Sequence, residues 1–184
     1  MSPTNSNKRS LTPVASQRLR LRPLLESDLE LTRQWRNHPD TRSQFFFDQV
    51  ITPEMHAQWY KNYLTKTDDF VFVFESKHDG APLGQSALYN VCSKSNRAEF
   101  GRFMLGETEM RSQGFGKEAL RLTCHLGFTQ LELKHIALEV KPDNHSAIAT
   151  YEAIGFVQTS INDRMLTMEL NITTWTTDAN SVSD

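Results

Sequence analysis

Two clusters in this chain have residue types and spacings that could do chemistry. The first is Arg111-Ser112-Gln113-Gly114-Phe115-Gly116, followed by Lys117 and a helical pattern through Phe128. Gly114 and Gly116 have no Cβ, so the backbone can bend there and approach a ligand closely. The first N–H groups of the following helix lack intrahelical partners, and with the helix dipole they favour a phosphate or pyrophosphate. Arg111 and Lys117 add positive charge on either side. A P-loop does not fit: Arg111 stands where its first glycine belongs, and Glu118 replaces the Ser or Thr after Gly116-Lys117. A dinucleotide fingerprint does not fit either, because position 119 is Ala. The plain alternative for so short a glycine pattern is a helix-start turn.

The second cluster follows the strand-like run Ile136-Ala137-Leu138-Glu139-Val140. Pro142 cannot easily extend that strand. Asn144 sits where a helix N-cap belongs. Ala147, Tyr151 and Ile154 share one helical face. Gly155 is a natural helix stop, and Phe156-Val157 can start the next strand. An Asn and a Tyr so placed can hold and protonate a group beside the glycine loop.

Together these residues resemble the GNAT superfamily of acyl-CoA-dependent N-acyltransferases. The family loop reads Arg or Gln, two residues, Gly, one residue, then Gly or Ala; Arg111, Gly114 and Gly116 match it. The later family segment N-x-x-A-x-x-x-Y-x-x-x-G-F is matched by Asn144, Ala147, Tyr151, Gly155 and Phe156. The resemblance implies a single-domain α/β fold whose mixed central sheet has about seven strands flanked by about four helices. It also implies that the fourth and fifth strands, Arg97 to Leu105 and His135 to Val140, splay apart and admit the pantetheine arm.

The implied reaction moves an acetyl group from acetyl-CoA to a primary amine by direct attack through a tetrahedral intermediate. Backbone N–H groups near the bulge of the fourth strand, at Phe103, Met104 and Leu105, would bind the carbonyl or oxyanion. Residues 111–117 (Arg111, Ser112, Gln113, Gly114, Phe115, Gly116, Lys117) would hold the phosphates. Tyr151 is the family-matched general acid for the leaving thiolate, whose thiol has an ordinary pKa of about 8.5. Asn144 would hold the pantetheine arm, cap its helix, or do both. For the base that deprotonates the amine, Glu99 and His56 are the candidates, with His38 and a water chain beside them. Glu99 as a solvated strand charge, or a structural His56, are the plainer readings.

The acceptor side resembles the acetyltransferases of nucleotide-linked amino sugars, as in the pseudaminic acid pathway, in Trp35-Arg36-Asn37-His38, Arg42 and the run Ile51 to Tyr60. Arg36 and Arg42 would clamp a diphosphate. Asn37 and His56 complete the candidate acceptor set, with Trp59, Tyr60 or the run Phe45-Phe46-Phe47 to stack on a base or sugar. Packing of Trp35 and Trp59 between two helices is the alternative. Arg97-Ala98-Glu99-Phe100-Gly101 also resembles the ribosomal-protein type of N-terminal acetyltransferase. A non-catalytic acyl-CoA-binding domain is the third reading.

The elements that must position these groups can be read from pattern. Arg18 to Pro23 alternates basic and apolar residues, as a half-buried strand does. Ser27-Asp28-Leu29-Glu30 forms a capping box that starts a helix through Trp35. Thr52-Pro53 is an N-cap with proline at the first helical position. Met55, Trp59 and Tyr63 make one stripe of that helix, and His56 and Tyr60 lie on the adjoining stripe. Phe70 to Glu75 and Leu83 to Tyr89 are strands joined through Asp79-Gly80. The order is strand, two helices, three strands, helix, strand, helix, two strands, which predicts α/β architecture with a mixed sheet.

The chain has 184 residues, enough for one domain with a substantial core. Residues 17–173 are assigned to it, and 1–16 and 174–184 to flexible polar tails. A net charge of -2 gives no support to nucleic-acid binding. No apolar run reaches membrane-span length. Cys92 and Cys124 are too few for a disulfide framework or zinc site, and the six His show no metal-ligand spacing. The expectation is a cytoplasmic enzyme without a metal, acting on a small-molecule amine. The resemblance is also compatible with a homodimer.

Overall fold

The computed structural model describes residues 11–45, 47–106, 113–162 and 164–175. Arg111, Ser112, Phe46 and the outer parts of both tails lie outside these residues. The strands are β1 (Val14–Ala15), β2 (Leu19–Pro23), β3 (Phe70–Ser76), β4 (Pro82–Cys92), β5 (Arg97–Leu105), β6 (His135–Val140), β7 (Val157–Ile161) and β8 (Leu166–Asn171). The α-helices are α1 (Leu29–Asn37), α2 (Pro39–Arg42), α3 (Pro53–Thr65), α4 (Phe115–Gln130) and α5 (His145–Glu152).

All eight strands join one sheet in the order β1-β2-β3-β4-β5-β6-β8-β7. Every pairing is antiparallel except β5 with β6. Alternation sorts the side chains into two layers. Leu19, Leu21, Phe72 and Phe74 face the core that holds Leu120, Leu122 and Leu126 of α4. Val71 and Val73 face the opposite core, with Leu24, Ala87 and the α3 residues Tyr60 and Tyr63. β3 is therefore buried on both faces, which its uninterrupted apolar run Phe70 to Phe74 permits.

Close approach is tightest at Gly84. A Cβ there would lie 2.2 Å from the Phe74 ring and 2.3 Å from the Met104 carbonyl oxygen. Gly84→Ala is expected to destabilise the protein by about 1–3 kcal/mol in urea unfolding. An unchanged midpoint would show that β4 can move away from Phe74.

The expected elements are present with four differences. Eight strands and five helices replace about seven and about four. The additions are the two-residue β1, too short to show alternation, and the single turn α2 after His38. The Ser27/Glu30 capping box does not form. A 3-10 turn, Glu26–Asp28, precedes α1, and the Asp28 carboxylate accepts from the Leu25 N–H at 2.8 Å and from Arg22 at 2.7 and 3.0 Å. Glu30 instead turns forward to Arg33 and Gln34.

The tail boundaries also move. Thr12 exchanges two hydrogen bonds with the Gln130 side chain, at 2.8 and 2.9 Å, and Val14 is fully buried. Trp175 packs against Phe128 with ring centroids 5.5 Å apart. Val14, Ser16 and Trp175, assigned to tails from composition, pack against the fold.

Candidate active site

β5 and β6 are paired only at Arg97–His135, Ala98–Ile136 and Glu99–Ala137. Beyond that point β5 keeps only β4, and β6 keeps only β8. The sheet therefore forks, at the expected pair of strands. Crevices at the carboxyl ends of parallel strands are the usual ligand sites of such sheets.

A bulge conditions the β5 edge of the fork. Ala87 pairs with Gly101 and Gln85 with Met104, so β5 spends one residue more than β4 between these pairs. Arg102 takes a positive φ of 49° there. Gly106 donates its N–H to the Leu83 carbonyl at 2.7 Å, and the Met104 carbonyl points at Gly84. Backbone groups alternate between the two edges of a strand, so Met104 and Gly106 address β4. Phe103 and Leu105 then present their N–H and C=O to the fork. Of the three backbone donors expected on this strand, these two face the gap.

The glycine loop meets the same place. Gly114 is left-handed at φ +82°, and α4 begins with Phe115. The first α4 bond runs from the Glu118 N–H to the Gly114 carbonyl at 3.1 Å, so the N–H groups of Phe115, Gly116 and Lys117 have no intrahelical acceptor. A Cβ on Gly116 would be only 3.7 Å from the Phe103 ring, which puts the helix start directly beside the bulged strand. Lys117 is exposed.

Arg18 is an unforeseen part of this loop. Its guanidinium donates to the Gln113 carbonyl at 3.0 Å, lies 4.3 Å from the centre of the Phe115 ring, and pairs with Glu118. Burial opposes the charge of Glu118, but hydrogen bonds from Ser16 and Arg18 outweigh it and hold its pKa below the ordinary value. A carboxylate in the first turn would repel a phosphate, and pairing with Arg18 offsets that charge. The only sequence sign was the basic alternation Arg18-Arg20-Arg22, which does not mark the 100-residue separation from Glu118.

On the other lip, Asn144 caps α5 by accepting from the Ala147 N–H at 3.2 Å. Tyr151 packs edge-on against Phe100, the first β5 residue past the fork, at 6.4 Å, and against Phe156 at 5.8 Å. Burial pushes its phenol up to about 12. No hydrogen bond joins its hydroxyl to another described residue.

The acceptor candidates divide. Asn37 is committed to Ile51, donating to its carbonyl and accepting from its N–H, both at 2.8 Å. Tyr60 is buried in the second core, and Trp59 stacks between His56 and Tyr63. These side chains hold α3 in place. His56 packs at the Leu29 end of α1. The Trp35 end, roughly 9 Å along that helix, meets Gly106 at the fork. Burial lowers the His56 pKa.

Glu99 is the last β5 residue before the fork, and it accepts from Asn90 at 2.9 Å. Arg36 donates to the Phe47 carbonyl and lies 4.0 Å over the Phe45 ring, yet its buried Nη1 has no hydrogen-bond partner among the described residues. Its pKa is lowered, by burial first and by the nearby charge of Arg42 second. Lys141, absent from the sequence-based set, reaches from the end of β6 to the Ser43 carbonyl at 3.1 Å. Arg36, Arg42 and Lys141 thus gather around the segment 42–47.

Comparison with known proteins agrees with this geometry. A profile described as the acetyltransferase (GNAT) domain matches residues 18–157. Among solved structures, spermidine N-acetyltransferase from Vibrio cholerae in complex with CoA and spermine is 23% identical, with a TM-score of 0.76 over 85% of this chain and 96% of that one. FdhC, a nucleotide-linked sugar GNAT, is 18% identical, with a TM-score of 0.75 over 89% and 92%. A domain from Methanocaldococcus jannaschii DSM 2661 is 18% identical, with a TM-score of 0.73 over 86% and 100%. No match was found among curated proteins. These likenesses show the shared fold.

Acetyl-CoA fits the residues present. The α4 start and Arg18 suit its pyrophosphate, the fork suits an extended arm that pairs with open strand edges, and the Phe103 and Leu105 N–H groups suit a carbonyl oxygen. The chain belongs to the GNAT acetyltransferase family and is an acetyl-CoA-dependent N-acetyltransferase.

Proposed function

We propose that the acceptor is the primary amine of a nucleotide-linked amino sugar. The observation that carries this is the gathering of Arg36, Arg42 and Lys141 at one side of the fork, with an unsatisfied guanidinium N–H on Arg36. A buried donor of that kind favours an anionic oxygen, and a diphosphate supplies several. The Lys141–Ser43 contact links the loop after β6 to the loop after α2, which suits an enclosed small acceptor better than an extended peptide. The likeness to a nucleotide-linked sugar GNAT points the same way.

Bound acetyl-CoA supplies the activated acetyl group. Phe103 and Leu105 N–H groups orient its carbonyl and take up negative charge. Glu99, at the branch point, accepts the proton of the amine, directly or through one water. Tyr151 donates a hydrogen bond to the departing sulfur. The activity is assigned to the cytoplasm, in keeping with cysteines that form no disulfide.

A cationic polyamine is the second reading, favoured by Glu99 and Glu139, whose charges both raise the Tyr89 pKa after burial. Thiol release from acetyl-CoA should be followed with UDP- and dTDP-linked 3-amino and 4-amino sugars, spermidine, and ribosomal-protein N-terminal peptides. The expected result is turnover on a nucleotide sugar, with Arg42→Ala and Lys141→Ala each raising the sugar KM by roughly 10-fold or more at little cost in kcat. Turnover confined to spermidine or peptides overturns the sugar assignment and leaves the acetyltransferase intact.

A further inference from the structure

The bulge in β5 needs something to hold it. Beyond Glu99 the strand has a neighbour on one edge only, so β6 cannot enforce its register there. Arg102 also takes a left-handed φ that side chains other than glycine rarely adopt. A strand free to relax would return to simple alternation, and a one-residue slip turns every following group to the other side.

The effect of the bulge on facing is visible on both sides of β5. Phe100 and Phe103, three apart, lie in the same core with ring centroids 5.9 Å apart, although regular alternation would place them on opposite faces. Gly101 and Arg102, adjacent in sequence, both sit against Tyr89 on the other face. The orientation of Phe103, Met104 and Leu105 therefore depends on Gly101 and Arg102 sharing one slot.

Arg102 is anchored at both ends. Its guanidinium donates to Asp69 at 2.7 Å and lies 4.8 Å over the Tyr89 ring. Its carbonyl accepts from the Gln85 side chain at 3.4 Å. Asp69 is itself 2% exposed, at the start of β3, with Lys66 3.7 Å away. The anchor thus reaches across β4 to the doubly buried centre of the sheet.

We propose that Arg102 is a positioning residue: its ion pair with Asp69 locks the β5 bulge and so aims the Phe103 and Leu105 N–H groups at the acyl carbonyl. This rests on the assignment of the fork to the acetyl thioester. Arg102 touches neither substrate nor cofactor in this role. It acts through the backbone that follows it.

The test uses the infrared band of carbonyl-labelled acetyl-CoA bound to the full chain, with CoA affinity and the kinetics of thiol release alongside. In the unsubstituted protein the thioester band should move to lower frequency on binding, as a hydrogen-bonded carbonyl does. In Arg102→Ala and Asp69→Asn it should return toward its free position. Thiol release should then fall roughly 10- to 100-fold in kcat, while CoA affinity changes less than about three-fold. Arg102→Lys should recover part of both signals.

Arg102→Gly separates anchor from backbone shape, because glycine accepts the positive φ but has no guanidinium; it should behave like Arg102→Ala. Folded Asp69→Asn or Arg102→Gly protein with a native band and native kcat would overturn the proposal, even if Arg102→Ala does not fold. If the unsubstituted protein binds acetyl-CoA and leaves the band unmoved, the carbonyl does not meet these donors. That outcome sinks the assignment of the fork before any variant is made.

Discussion

Tyr151→Phe is expected to lower turnover by roughly 10²–10³-fold while CoA affinity stays within about two-fold. The phenol is packed by Phe100 and Phe156 at the point where β5 and β6 part, and the substitution keeps those ring contacts. Only the hydroxyl is lost. Burial pushes its pKa up to about 12, well above that of a free thiol at about 8.5. Complete proton transfer to the sulfur is therefore uphill, and the expected effect falls in the lower part of the range for a positioned acid.

The sign of the shift also fixes the pH behaviour. A raised phenol pKa keeps the donor protonated up to about 12, so Tyr151 should contribute no alkaline fall in activity below pH ~10. The ratio of native to Tyr151→Phe rates should be flat across that range. A ratio that collapses near pH 9 would contradict the raised pKa, and a variant with native turnover would remove Tyr151 from the reaction.

Gly114→Val is expected to weaken acetyl-CoA binding by roughly 5- to 150-fold with a much smaller change in stability. Gly114 holds a φ of +82° immediately before α4. A β-branched residue there costs about 1–3 kcal/mol if the binding shape is kept, and RT ln K converts that to the stated range. Space is not the cause, since the nearest group to a Cβ would be Arg18 at 3.4 Å. Calorimetry with CoA and a urea titration distinguish the outcomes. An unchanged CoA affinity would mean that the left-handed turn is not part of the phosphate site.

Much of this arrangement was legible because local patterns report local structure. β5 has the expected bounds, β6 begins one residue before the strand-like run Ile136 to Val140, and Thr52 and Asn144 cap their helices as expected. The fork followed from the family resemblance rather than from periodicity. Pairings across the sheet left no such mark. Arg18 meets Glu118 because α4 packs on β2, and Arg102 meets Asp69 because β3 and β5 lie in one sheet on either side of β4. Asn37, a candidate acceptor contact by resemblance, pairs with the backbone of Ile51 on both sides, a contact that the sequence does not mark. The family resemblance implied a bulge in this strand, but its place at Gly101-Arg102 was hidden, because one inserted residue is invisible until the partner strand is known.

The central claim is that the cofactor lies in the fork, between the bulged edge of β5 and the start of α4. Backbone amide spectra of the 21.1 kDa chain, recorded during titration with CoA and then with acetyl-CoA, address it directly. The expected result is CoA-induced shifts at Phe115, Gly116 and Lys117 and along Phe103 and Leu105, with a further shift at Phe103 or Leu105 when the acetyl group is present. Shifts confined to α3 or the β7 edge, or none at millimolar CoA, would contradict it.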